Sequence, residues 1–125
     1  MRYLIAIAIT VFLIIGCANE QLTEEGYFTR AQQYENALEF EKAIADYTTL
    51  MNNFPESDNR YKAMFMIGFL SYENLKNSEQ AISYFDRLLS EYPECDLADD
   101  ATALKQMALE GKDLLSVFED SVHTE

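Results

Sequence analysis

The side chains that could carry out covalent or metal chemistry are few and lie far apart in this chain of 125 residues. The two cysteines are Cys17 and Cys95, and the one histidine, His123, lies near the carboxyl end. A zinc site or a Cys–His nucleophile pair needs several such residues close together, so the sequence predicts neither. Cys95 is flanked by Glu94 and Asp96, whose negative charge disfavours a reactive thiolate.

Neighbouring carboxylates are more numerous: Glu24 and Glu25, Glu39 and Glu41, Asp99 and Asp100. A catalytic acid needs a carboxyl group in an apolar pocket that raises its pKa. These pairs lie instead at predicted helix starts and on polar helix faces, where acidic side chains interact favourably with the helix dipole. We therefore interpret them as solvated groups, and the sequence predicts no enzyme, no metal site and no cofactor.

The charge balance narrows the range of partners. The chain has 22 acidic and 9 basic residues, which gives a net charge of -13. Binding to a nucleic acid or to anionic lipid headgroups depends on Lys and Arg, so we expect no nucleic acid partner and no basic membrane-binding patch. The composition, 49% hydrophobic and 25% charged, is that of one small globular domain.

The amino-terminal segment has a separate character. Residues 3–15 are apolar except for Thr10, and Arg2 precedes them. This run is shorter than the roughly 20 residues that span a bilayer, and it fits the hydrophobic region of a secretory signal.

The segment ends in Ile14-Ile15-Gly16-Cys17, which resembles a bacterial lipoprotein signal. In that family the cysteine thiol receives a diacylglyceryl group, and the signal is removed just before the cysteine. The resemblance implies a cleaved signal peptide at residues 1–16, lipidation of Cys17 and a linker at 17–23. An ordinary signal peptide with a chance cysteine and a retained signal anchor are the alternatives. The residue after the cysteine is Ala18. The absence of Asp at this position resembles lipoproteins that are sorted to the outer membrane and face the periplasm.

The remainder of the chain repeats itself at a spacing of 38 residues. The matching pairs are Tyr34 and Tyr72, Ala43 and Ala81, Tyr47 and Phe85, Leu50 and Leu88, and Pro55 and Pro93. Apolar residues before each proline recur at spacings of three and four, which predicts amphipathic helices that end at the prolines. Ser78 is the predicted N-cap of the second of these helices.

The pattern predicts five helices, near residues 21–37, 39–53, 58–75, 78–91 and 96–118. The third is apolar almost all round, as expected of a helix contacted on several sides. The fifth has one apolar stripe that includes Leu104, Leu115 and Phe118. We expect a helical domain at residues 24–118 and a polar tail at 119–125.

An Ala, an aromatic residue four positions later and a Pro eight further on resemble the second half of a tetratricopeptide repeat. The motif occurs twice, as Ala43–Tyr47–Pro55 and Ala81–Phe85–Pro93. The resemblance implies an all-α solenoid of two helical hairpins plus a capping helix. The repeat is longer than the usual 34 residues, and Phe69 stands where a small residue is usual, directly after Gly68. The longer repeat is similar to periplasmic proteins such as the outer-membrane assembly lipoproteins of the YfiO/BamD type and the Tol-Pal coordinator.

In that family the first helix of each hairpin lines a groove that binds other proteins. By register, the resemblance implies these partner-binding residues: Phe28, Gln32, Glu35, Asn36, Met66, Leu70, Glu73 and Asn74. Alternatively, Met66 and Leu70 are buried under the fifth helix, and the two asparagines are helix-end residues.

The expected function is that of a lipid-anchored periplasmic scaffold in outer-membrane or envelope assembly. Its partner would be an envelope protein with an apolar and basic surface. The alternative is a structural repeat lipoprotein that self-associates into a homo-oligomer. Two repeats lie below the three or so that usually make such a stack stable, which favours either kind of association.

Overall fold

A computed structural model describes residues 21–112, and every regular element in this part of the chain is an α-helix. The five helices are α1 (Glu24–Asn36), α2 (Phe40–Asn53), α3 (Arg60–Glu73), α4 (Ser78–Glu91) and α5 (Ala98–Glu110). The all-α repeat architecture is therefore as predicted. The ends of the first four helices lie within three residues of the predicted positions.

Side-chain caps fix two of the helix starts. The Thr23 side chain accepts a hydrogen bond from the Gly26 amide (3.1 Å) at the start of α1. At the start of α4, the Asn77 Oδ1 accepts a hydrogen bond from the Gln80 amide (3.1 Å). The prediction that Ser78 caps α4 was wrong, since Ser78 is the first helical residue and Asn77 satisfies the free amide from one position earlier.

The helix ends follow proline and glycine. Helices α2 and α4 stop two residues before Pro55 and Pro93, as predicted. Helix α5 stops at Glu110 because Gly111 adopts a left-handed conformation with φ of 66°. The prediction of one continuous helix to residue 118 was therefore wrong. The predicted stripe residues Leu115 and Phe118 lie outside the described part of the chain.

Each helix packs against the next in sequence, and α3 also contacts α5. Ala43 and Ala81 are completely buried, which allows the helices of each hairpin to approach closely. The aromatic rings of Tyr47 and Phe85 are completely buried as well. Helix α3 is central, as predicted, and has buried residues along its whole length.

Each hairpin contains an ion pair that joins its two helices. The Arg30 guanidinium binds both carboxylate oxygens of the buried Asp46 at 2.6 Å, which joins α1 to α2. Arg60 donates to the Met51 carbonyl (3.2 Å), to the Tyr92 hydroxyl (3.0 Å) and to Glu91. This single side chain therefore connects the end of the first hairpin to the end of the second.

Within residues 21–112, no helix has the length and apolar character needed to cross a membrane.

Candidate functional site

An apolar groove of about 490 Å³ lies between α3 and α5. Its lining consists of Phe65, Met66, Phe69, Asp100, Ala103, Leu104 and Met107. Asp100 is the one charged residue of this lining, so the groove presents an almost wholly apolar surface to a ligand.

The α3 side of the groove has a fixed shape. Phe65 and Phe69 lie one helical turn apart with nearly parallel rings, 6.4 Å between centroids. Phe65 also contacts the buried ring of Phe85 at 5.9 Å. The aromatic wall is thus held in place by the core of the second hairpin.

Gly68 explains why Phe69 can line the groove. A Cβ at position 68 would lie 2.7 Å from the Phe85 ring, so this position tolerates only glycine without movement. The close contact between α3 and α4 is made at Gly68, one position before the small residue expected from the repeat pattern. Phe69 is therefore released from the helix contact and forms part of the groove wall.

The α5 side of the groove consists of Ala103, Leu104 and Met107, which recur at helical spacing. Ala103 is exposed and Leu104 is buried. An ion pair between Lys105 and Asp86 ties α5 to α4. The position of this wall relative to α3 is thereby fixed through α4.

The partner-binding residues predicted in the first hairpin do not line this groove. Phe28 is half-buried and packs edge-on against Tyr47, with 5.4 Å between ring centroids. Gln32 is exposed, and Asn36 is the exposed last residue of α1. Glu35 is half-buried and accepts a hydrogen bond from the Tyr47 hydroxyl.

The partner-binding residues predicted in the second hairpin differ in their exposure, and one of them lines the groove. Met66 lines the groove, whereas Leu70 is only 2% exposed and belongs to the core. Asn74 is the exposed C-cap of α3. Glu73 is half-buried, one helical turn beyond Phe69. Leu70 thus packs in the interior and is not accessible to a partner.

Glu35 and Glu73 occupy the same repeat position but have different surroundings. The hydroxyl that binds Glu35 belongs to Tyr47, and the residue at the matching position of the second hairpin is Phe85. Phenylalanine has no hydroxyl to donate. Within residues 21–112, the Glu73 Oε1 is the buried side-chain oxygen that has no hydrogen-bond partner.

The first hairpin shows the electrostatic effect of this pairing. Burial raises the pKa of the Tyr47 hydroxyl far above its usual value, and the hydrogen bond to Glu35 raises it further. Tyr47 therefore stays protonated and remains a hydrogen-bond donor to the carboxylate at all physiological pH values.

A second cavity, of about 420 Å³, lies where the two proline turns meet. It contains Cys95, which is a free, half-buried cysteine. The rings of Tyr61 and Tyr92 pack against each other nearby in a tilted arrangement, with 5.8 Å between their centroids. A hydrogen bond to Asp96 raises the pKa of Tyr61. This cavity lies between the two equivalent turns of the repeat.

The chemistry that the described residues support is non-covalent binding. Within residues 21–112, no group of three or more His, Cys, Asp or Glu residues could hold a metal ion. A preformed apolar groove with a single charged residue in its lining is suited to the side chains of another molecule.

Sequence reasoning identified Met66 but missed six of the residues that line the groove: Phe65, Phe69, Asp100, Ala103, Leu104 and Met107. One signal was present in the sequence. Phe69 departs from the small residue of the repeat pattern, and a large apolar residue at such a position indicates a surface with another use.

Comparison with known families agrees with this architecture. The sequence matches a tetratricopeptide repeat family over residues 25–57 and 62–94, which correspond to the two helical hairpins. No curated protein matches the chain, and no solved structure does.

Proposed function

The chain belongs to the tetratricopeptide repeat family, and from this premise we propose that it is a lipid-anchored scaffold of the cell envelope that binds a protein partner through the groove between α3 and α5. Proteins built from these repeats are typically adaptors that bind other proteins. The scaffold would stand on the outer membrane, face the periplasm and contribute to envelope assembly.

The observation that carries the proposal is the apolar groove itself. The lining is dominated by Phe65, Phe69 and Met107, which are only partly buried by the rest of the described chain. Aromatic and methionine side chains are enriched at the centres of protein interfaces. A partner that covered them would gain about 25 cal/mol for each Å² of apolar surface removed from water.

The envelope location rests on the sequence before the repeats. Gly16-Cys17 after a short apolar run supports a lipid anchor at Cys17, and Ala18 supports sorting to the outer membrane. The likeness of the long repeats to outer-membrane assembly lipoproteins of the YfiO/BamD type and to the Tol-Pal coordinator supports an assembly role. An acyl chain contributes about 0.8 kcal/mol per buried methylene, so the anchor needs no protein contact with the membrane.

The anchor is tested by labelling cells with radioactive palmitate. We expect the wild-type chain to incorporate the label and to partition into the detergent phase. Cys17→Ser should lose both properties, because serine lacks the thiol that forms the thioether, whereas Cys95→Ser should retain them. Label in the Cys17→Ser protein would refute lipidation at this residue.

Partner binding is tested by two neighbouring substitutions on α5. Ala103→Arg places a bulky basic side chain in the groove, and Thr102→Arg places the same side chain on an exposed position outside its lining. Crosslinked membranes from cells with the wild-type or Thr102→Arg chain should yield a stoichiometric protein partner. Ala103→Arg should lose it without a change in melting temperature. Equal recovery by both variants would contradict the proposal.

Self-association is the second candidate function. Leu109 on α5 is 57% exposed and could contact another copy. A net charge of -13 on each chain opposes such an assembly. Sedimentation of the Leu109→Ser chain against the wild type distinguishes the candidates: a concentration-dependent dimer that only the wild type forms would favour self-association.

A further inference from the structure

The glutamates at the same repeat position of the two hairpins, Glu35 and Glu73, differ in their hydrogen-bond partners. This difference points to a ligand. In the first hairpin, the Tyr47 hydroxyl satisfies Glu35. In the second, Phe85 offers no donor, and the buried Glu73 Oε1 has no hydrogen-bond partner. A buried carboxylate oxygen without a donor is unfavourable, and a donor from another molecule would relieve this cost.

Glu73 lies on the groove face of α3, one helical turn beyond the residues that line the groove. It follows Phe69 by four residues and Met66 by seven, so the three side chains occupy one face of α3. With a rise of 1.5 Å per residue, the Cα atom of Glu73 lies about 6 Å along the helix axis beyond that of Phe69. The unsatisfied acidic group therefore lies one helical turn beyond the apolar lining, and Asp100 is the carboxylate within that lining.

Building on the proposed function, we propose that the groove binds an apolar partner segment that carries a Lys or Arg, and that this cation pairs with Glu73. The apolar side chains of the segment contact Phe65, Phe69 and Met107. Charge-assisted hydrogen bonds are stronger than neutral ones, so the cation provides selectivity in addition to affinity. The first hairpin has no equivalent site because the Tyr47 hydroxyl already donates a hydrogen bond to Glu35.

Charge distinguishes this occupant from the two that the chain itself could supply. A second copy brings a net charge of -13 to a groove that is lined by Asp100 and lies beside Glu73. Residues 113–125 include four acidic residues and no Lys or Arg. Like charges at an interface are unfavourable, so both occupants are disfavoured relative to a basic partner.

The test uses the full chain in phosphatidylcholine nanodiscs with methionine methyl groups labelled with ¹³C. The probes are three soluble 12-residue peptides of leucine, alanine and serine that differ at one position, which is Arg, Gln or Glu. We expect the Arg peptide to shift the methyl resonances of Met66 and Met107, which line the groove, at a Kd at least tenfold below that of the Gln peptide. The buried Met64, which is 0% exposed, serves as the internal control.

Two variants test the role of Glu73. Glu73→Gln keeps the shape of the side chain but removes its charge, so it should abolish the preference for Arg over Gln while the apolar contact remains. Phe85→Tyr supplies the hydroxyl found in the first hairpin and should weaken binding of the Arg peptide. Glu35→Gln is the matched control and should leave the preference unchanged.

The outcomes separate this proposal from the proposed function. Equal binding of the Arg and Gln peptides, or an Arg preference that survives Glu73→Gln, would overturn the pairing with Glu73 and leave the apolar groove standing. If no peptide shifted Met66 or Met107, both the groove and the pairing would fail. If the Met66 and Met107 resonances shifted when the protein concentration was raised without peptide, the groove would be assigned to a second copy. If the same resonances shifted in the Leu115→Asp variant without peptide, the groove would be assigned to the carboxyl-terminal segment.

Discussion

At the scale of single residues, one hydroxyl distinguishes the two hairpins. The Tyr47 side chain is completely buried and donates to Glu35, whereas the equivalent Phe85 has no such bond. The repeat position alone therefore does not define the role of a glutamate. Its aromatic partner on the second helix of the hairpin decides whether the carboxylate is satisfied internally.

Tyr47→Phe should destabilise the fold by about 1–2 kcal/mol, because the half-buried Glu35 loses its donor. Urea unfolding followed by circular dichroism measures the effect. Tyr84→Phe is the matched control, since no hydrogen bond to another described residue involves its hydroxyl; its midpoint should differ little from the wild type. A Tyr47→Phe midpoint equal to that of the control would show that the bond contributes nothing.

Gly68→Ala should destabilise the protein although alanine is the better helix former. The new Cβ would lie 2.7 Å from the Phe85 ring, which is completely buried and cannot move aside. We expect a net loss of about 1–2 kcal/mol, since overpacking exceeds the roughly 1 kcal/mol gained in helix propensity. Thermal melting of Gly68→Ala and of the exposed Ser83→Ala gives the comparison. A stabilised Gly68→Ala would contradict the close contact.

Residue-level prediction from sequence succeeded for the core and only in part for the groove. Ala43, Ala81, Tyr47 and Phe85 are buried as the repeat pattern predicts, because their spacing determines the face on which they lie. Transfer by register assigned Leu70 to the groove, but its side chain is buried. Which side of α3 stays open depends on where α5 packs, and that contact is not encoded in local periodicity.

At the scale of whole helices, Arg60 joins the start of α3 to the end of α4 through Glu91 and Tyr92, and it joins α3 to α2 through the Met51 carbonyl. Burial alone would raise the pKa of Glu91, but its hydrogen bonds to Arg87 and Arg60 outweigh this effect and hold the pKa below its usual value. A carboxyl group with a depressed pKa in the folded state stabilises the fold above its unfolded pKa. That contribution is lost as the pH falls through the depressed, folded-state value.

We therefore expect Glu91→Gln to lose less stability than the wild type on acidification below about pH 4.5, the ordinary Glu value. At neutral pH the variant should be the less stable of the two, because the ion pairs are absent. Urea midpoints recorded between pH 7 and pH 3 measure both effects. Ser90→Gln, on the same helix, should follow the wild-type curve; parallel curves for wild type and Glu91→Gln would exclude the ion pairs as the cause.

Helix boundaries were predictable where proline or a cap residue dominates. Pro55 and Pro93 end α2 and α4 within two residues because the proline ring disfavours the helical conformation before it. Gly111 was missed as the end of α5 because the apolar stripe continues past it. A glycine inside a periodic pattern is compatible with either a helix or a left-handed cap, and the packing around it decides. At this end the Tyr72 hydroxyl donates to the Lys112 carbonyl.

At the scale of the molecule, the described chain is two hairpins followed by a single helix. Helix α5 packs on α4 and contacts α3, and the space left between α3 and α5 is the apolar groove. The acidic surface, with a net charge of -13, favours basic partners and opposes aggregation through this exposed apolar wall. A partner that bound to the groove, as proposed, would also stabilise the folded state of this small domain.

The most direct measurement is site-specific photocrosslinking in intact cells. A benzophenone amino acid replaces Ala103, which lines the groove, or Thr102, its exposed neighbour outside the lining, and mass spectrometry identifies the attached proteins. We predict one dominant protein partner crosslinked from position 103 and absent from position 102. The same proteins at both positions, or no protein at position 103, would contradict a role of the groove in partner binding.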